Sequence, residues 1–137
     1  MRLMSTEEAV RAFHKDRLSN DPQQLRDWFA DEALVRINGT AIVKTEGDKA
    51  DPEATLDLEA LTPDELLNEW FIHASEVRET MAEGERAASR VWLDISHRPS
   101  GHRTTLELAE FIRFDGERIT EMIAFLDSKI ADEIKKD

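Results

Sequence analysis

The sequence contains no cysteine, which rules out disulfide bonds and thiol chemistry. It also lacks any apolar run long enough to cross a bilayer as a helix. The N-terminus, MRLMSTEEAV, has no apolar signal region and turns acidic at Glu7 and Glu8, so a cytoplasmic location is expected. Positive charge is scarce. Lys and Arg total 18 against 30 Asp and Glu, a net charge of −12. Phosphate-rich partners would be repelled rather than bound, so neither nucleic acid nor an anionic membrane is an expected partner. The surplus acidity serves solubility and leaves a neutral or apolar small ligand compatible. No HxxxH or HxH pair, GxSxG elbow, P-loop or dinucleotide fingerprint occurs, so neither a metal nor a cofactor is expected.

What is present is the material of one domain. The 137 residues are 40% hydrophobic and include six Phe and three Trp, enough for a real core. Ser5 with Glu8 forms a capping-box pattern, opening a helix with the apolar positions Ala9, Val10 and Phe13. Asp21-Pro22 starts a second, DPQQLRDWFA, with Leu25, Trp28 and Phe29 on its buried side. ALVRI, Asn38-Gly39 and TAIVKT (Thr40 to Thr45) predict a hairpin. Glu46 to Leu61 is polar and irregular, a long loop expected to be more mobile than the sheet. Thr62-Pro63 opens a further helix that the pattern continues to about His73. Ser75 to Met81, Arg86 to Ser96, Arg103 to Asp115 and Arg118 to Leu126 follow as strands, and SKIADEIKK as a terminal helix. Helices first and a long antiparallel sheet afterwards give an α+β fold.

In AEFIRFDGERITEMIAFLD (Ala109 to Asp127) the face of Leu106, Leu108, Ile112 and Phe114 should be buried, yet Glu110 shares its parity. A lone carboxylate in an apolar cavity has a raised pKa and can serve as acid or base near neutrality. The plainer alternative pairs Glu110 with Arg90 or His97 from the adjacent strand; hydrogen bonding to a ligand is a third. Register bears on this. A two-residue turn at Asp115-Gly116 would set Glu110 opposite Glu121, like against like. A three-residue turn sets it opposite Met122 and points Met122, Ala124 and Leu126 inward; this is the preferred reading.

The element order, DPQQLRDWFADEALV and RFDGERITEMIAFLD together resemble the nuclear transport factor two-like superfamily, in its ketosteroid isomerase-like and SnoaL-like branch. The resemblance covers nearly the whole chain, residues 1–137 as one domain. It implies a cone-shaped, curved antiparallel sheet wrapped around the N-terminal helices, with a mostly apolar pocket and a homodimer through the outer sheet face. Trp92, Phe111 and Phe125 are candidates for that face, or simply scattered exposed aromatics. In ketosteroid isomerases an acid held neutral by apolar surroundings donates a hydrogen bond to an oxyanion, and the resemblance puts Glu110 at its position. The partner tyrosine aligns with Phe13, and the aspartate base falls near Ile37 and Asn38, so steroid isomerisation by that route is not expected.

The candidate acid/base groups are therefore Glu110, Asp127 and His73. Asp127 is an acid/base position by resemblance to SnoaL-like cyclases, but also a natural N-cap for SKIADEI, the favoured reading. His73 caps its helix or borders the pocket. His14 is expected to be exposed, as are His97 and His102 beside Pro99-Ser100-Gly101. Candidate ligand-lining residues are Phe13, Trp28, Ile37, Trp70, Leu108, Ile112, Met122 and Leu126, although Trp28 reads chiefly as core. The expected function is a small-molecule-binding SnoaL-like domain. If catalytic, it would perform cofactor-independent isomerisation, cyclisation or dehydration of an apolar cyclic ligand. The alternative is a non-catalytic binding or dimerisation module.

Overall fold

A computed structural model describes residues 4–49 and 60–136. Helices α1 (Thr6–Arg17) and α2 (Pro22–Trp28) come first, then strands β1 (Phe29–Ile37) and β2 (Thr40–Ala41). A short α3 (Glu46–Lys49) and α4 (Pro63–Glu69) precede the long strands β3 (Trp70–Glu83), β4 (Arg86–His97), β5 (Arg103–Asp115) and β6 (Arg118–Leu126). Helix α5 (Ser128–Ile134) closes the order. The strands form one curved six-stranded sheet in the order β2-β1-β6-β5-β4-β3, against whose inner face the helices pack.

Helix starts follow their side chains. Ser5 and Glu8 make the reciprocal capping box of α1, Asp21 accepts from Gln23 N at α2, and Thr62 with Glu65 repeats the box at α4. Helix α4 ends earlier than the spacing predicts. Trp70, Phe71 and Ile72 are strand formers, and they pair with His97, Ser96 and Ile95 of β4 instead of continuing the helix. Trp70, Phe71 and His73 therefore stand on β3. The long loop expected over 46–61 begins with the α3 turn and ends tied to the sheet, through Val43 N to Leu61 O and Leu61 N to Ala41 O, both at 2.8 Å. Residues 50–59, the centre of that expectation, lie outside the described residues.

Inward and outward residues alternate cleanly on β5, where Leu106, Leu108, Glu110, Ile112 and Phe114 are buried. Strand β6 runs antiparallel to β5, as its tight turn requires, but parallel to β1, to which no turn binds it. The sheet is thus mixed rather than wholly antiparallel. Register shifts at Ile72/Ala74 and Val77/Glu79 of β3 are the kind of irregularity that bends a strand and raises its twist, consistent with the curvature.

Two asparagines with positive φ, Asn20 at 54° and Asn38 at 49°, tie the helical layer and the first hairpin to the sheet. Asn20 donates to Ile72 O at 2.9 Å and accepts from Ile72 N at 2.8 Å. Asn38 does the same with Leu126, at 2.9 and 2.8 Å. Each amide stands in for a strand neighbour. The core between helices and sheet centres on Val10, Phe13, Ile112, Phe114, Ile119 and Met122.

Candidate functional site

A cavity of about 280 Å³ lies between the helices and the inner sheet face, at the lower end of the range usual for small-molecule sites, roughly 300–1,000 Å³. Ile72, Leu93, Ile95, Leu106 and Leu108 form its sheet wall, and Leu25 and Leu67 its helical wall. Helix α5, which buries none of its residues, borders it through Ser128, Ala131 and Asp132, joined by its C-cap Lys135. Arg17 and Glu110 also line it. A second hollow of about 450 Å³, around Met81, Arg86 and Phe111, is a depression open to solvent, and of the candidate residues only Ile112 borders it. The cavity between helices and sheet, less open and mostly apolar in its lining, is the better site.

Glu110 is paired, but not with Arg90 or His97. Arg90 points outward to Glu107 at 3.1 Å, and His97 binds Glu69 at 3.1 Å. The partners come from α1. Arg17 meets the carboxylate with both prongs, Nη1 to Oε2 at 3.0 Å and Nη2 to Oε1 at 3.1 Å, the strongest common geometry for this pair. Nη2 also donates to His14 Nδ1. A guanidinium has only donors, so Nδ1 must accept, and the neutral ring carries its proton on Nε2. That nitrogen is 3.0 Å from Glu110 Oε1, at an angle that leaves it without a hydrogen bond.

The electrostatics follow. Burial, the largest single influence, pushes the Glu110 carboxyl up. The charge of Arg17, the adjacent His14 and the paired hydrogen bonds from Arg17 together outweigh burial and bring its pKa from 4.5 down to about 2. His14 is lowered from 6.5 by its own burial and by the Arg17 charge, against the pull of Glu110. With its pKa below 6.5 the ring is mostly neutral at pH 7. The neutral, proton-donating Glu110 expected from the hairpin is an ionised carboxylate. Its side chain is 0% exposed, whereas that of Arg17 keeps 10%. So held, Glu110 has no proton to give a ligand at neutral pH.

The other expected groups are dispersed. His73 lies exposed on β3, paired with Ser96 Oγ and away from the cavity. Asp127 is exposed and caps α5, accepting from Lys129 N at 2.9 Å. His14 and His97, expected to be exposed, are buried at 3% and 5%; His102 is exposed, with Nδ1 against Ile134 O. Ile37, Trp70, Leu108 and Leu126 border the cavity. Phe13, Trp28, Ile112 and Met122 do not; they belong to the packed core, where Phe13 meets the Trp28 ring edge-on at 5.8 Å. Neither expected register occurs. Glu110 faces Ala124, since the turn spans Gly116-Glu117 and a bulge follows between Arg113 and Phe114, although Met122 and Ala124 still turn inward. Arg17 was not foreseen as a site residue. The chain contains no tyrosine, so the cavity has no phenol. Among the described residues no cluster of His, Asp or Glu is placed to hold a metal ion, and no helix is long and apolar enough to cross a membrane.

No family model and no curated protein matches the chain. Solved structures do. An NTF2-like protein from Burkholderia thailandensis superimposes with a TM-score of 0.70 at 12% identity, over 98% of this chain and 100% of that one. An LEH-like epoxide hydrolase from M. tuberculosis gives 0.67 at 15% identity, over 95% and 89%. A protein of ketosteroid isomerase-like fold from Catenulispora acidiphila, solved in complex with trimethylamine, gives 0.62 at 17%, over 88% and 85%. The protein has the NTF2-like fold.

Proposed function

We propose that this protein is a small-molecule-binding domain that takes a compact, largely apolar ligand into the cavity between α2, α4 and the inner sheet face. The observation that carries this reading is the hollow itself. Packed interiors seldom leave such space unfilled, and here most of its walls are aliphatic. Trp70 borders the cavity, so its fluorescence should respond to occupancy. A panel of steroid-like and aromatic polyketide-like compounds should contain members that shift that fluorescence and raise Tm. A ligand at a hundred times its Kd adds about 2.7 kcal/mol. If no compound acts, and the cavity-filling variant Ala124→Phe is more stable than the parent, the hollow is a packing defect and the proposal fails.

Cofactor-independent isomerisation, cyclisation or dehydration is the second reading, favoured by fold likeness to an epoxide hydrolase and a ketosteroid isomerase-like protein. It needs an acid or base other than Glu110. Protein-dependent hydrogen–deuterium exchange at a bound ligand's carbon would support it; bound ligand without exchange would favour binding alone. We also propose that two copies pair through the outer sheet face, where Phe111 and Phe125 are 51% and 53% exposed with rings 6.5 Å apart.

A further inference from the structure

The geometry points to Arg17 as the ligand-recognition group of the cavity, donating a hydrogen bond to a carbonyl oxygen on an otherwise apolar ligand. This rests on the small-molecule reading above and specifies its ligand class.

A guanidinium carries five N–H donors. Three are directed at Glu110 and His14. The Nε donor is buried and has no partner, and the second hydrogen of Nη1 has none assigned among the described contacts. An unpaired buried donor costs free energy, and Arg17 borders the cavity with a tenth of its side chain still exposed. The charge balance selects the acceptor. Glu110 already neutralises Arg17 at bidentate distance, and an anionic ligand would set a second negative charge beside a buried carboxylate. A neutral acceptor avoids that repulsion. The same carboxylate and the Phe13 ring, 5.1 Å from the Arg17 Cζ, hold the guanidinium still, so little side-chain entropy is lost when a ligand arrives. Glu110 is in this scheme a positioning residue, and Arg17 the group that touches ligand.

The test uses two bicyclic probes of the same shape, 1-tetralone and tetralin, which differ by the carbonyl oxygen. Affinities are measured for the wild type and for the double variant Arg17→Met/Glu110→Leu, which removes both charges together and so strands neither. The ratio of ketone to hydrocarbon affinity should be roughly tenfold higher in the wild type, the factor expected of a hydrogen bond to a charged donor. The infrared carbonyl band of 13C-labelled 1-tetralone bound to the wild type should lie well below its position in hexane. Equal ratios in both proteins, or a wild-type band at the hexane position, would overturn the role of Arg17 while leaving the cavity reading intact. The band decides even where the double variant does not fold. If neither probe binds, and the wider panel fails too, the cavity reading falls and this inference with it.

Discussion

Removing one half of the Arg17–Glu110 pair exposes what the other half costs. In Glu110→Gln the guanidinium stays largely buried and loses its counter-charge, and breaking such a pair typically costs about 3–5 kcal/mol. Urea unfolding should register that loss, with Arg17→Met/Glu110→Leu more stable than Glu110→Gln. The pH profile carries a second signature. Because the folded-state pKa of Glu110 lies near 2 rather than 4.5, the unfolded chain takes up its proton first as pH falls. Its stabilisation is present above pH 4.5 and is lost between 4.5 and 2, an amount of about 3 kcal/mol. His14, lowered below 6.5, acts in the same direction from pH 6.5 downward, since protons again favour the unfolded state. Urea midpoints at several pH values should fall in two stages. His14→Gln should flatten the upper stage and Glu110→Gln should shrink the lower, leaving the share of exposed carboxylates held low by a cation, Asp31 beside Lys44 and Asp94 beside Arg103; a lower stage of undiminished size in Glu110→Gln would refute the assignment. The parity of Glu110 in an apolar strand face was legible as an anomaly. Its partners were legible too, through spacing: Val10, Phe13, His14 and Arg17 fall at i, i+3, i+4 and i+7, one face of α1. Reading polar side chains as exposed by default hid them, because a buried charge is ruled out only until its counter-charge is found.

At the scale of elements, local chemistry announced most boundaries. The caps of α1, α2 and α4, and strands β5 and β6, stand where side-chain pattern places them. Two junctions are exceptions: at α2–β1 the helix stops at Trp28, and Phe29, expected on its buried side, opens the strand instead; the other is α4–β3. Leu66, Leu67, Trp70 and Phe71 share a helical spacing, and only pairing to a distant segment, Trp70 with His97 and Ile72 with Ile95, turns the chain to strand from Trp70 onward. Register was likewise invisible, since the bulge after Ile119 leaves no signature that Asp115-Gly116 reveals. The asparagine at residue 20 offers a test of how the helical layer is tied to β3. Asn20→Asp keeps the acceptor for Ile72 N but loses the donor to Ile72 O. About 1–3 kcal/mol should be lost, with faster amide exchange concentrated at Ile72 and its neighbours. Exchange that quickens evenly over the whole sheet would mean Asn20 is no local clamp.

For the molecule as a whole, the inner sheet face is committed to the core and cavity, which leaves the outer one as the sheet face open to the proposed partner copy. That face carries two aromatic rings in mutual contact, Phe111 and Phe125. Around them lie outward ion pairs such as Arg90 with Glu107 at 3.1 Å, and Trp92 under the Arg78 guanidinium. An apolar centre with a charged rim is the usual anatomy of an interface. Against association stands the charge, since each copy carries −12 and two copies repel at long range. Salt screens that repulsion, with a Debye length of about 10 Å at 0.1 M, while apolar burial is largely unaffected. Sedimentation should therefore show a dimer that tightens as salt rises from ~0.01 M to ~0.15 M. The variant Phe111→Glu/Phe125→Glu should be monomeric at both salts, with its urea midpoint little changed because both rings are already half exposed. A wild type that stays monomeric at high salt and high concentration would leave the outer face a free surface and remove the dimer from the account. A dimer that survives the double substitution would place the interface elsewhere.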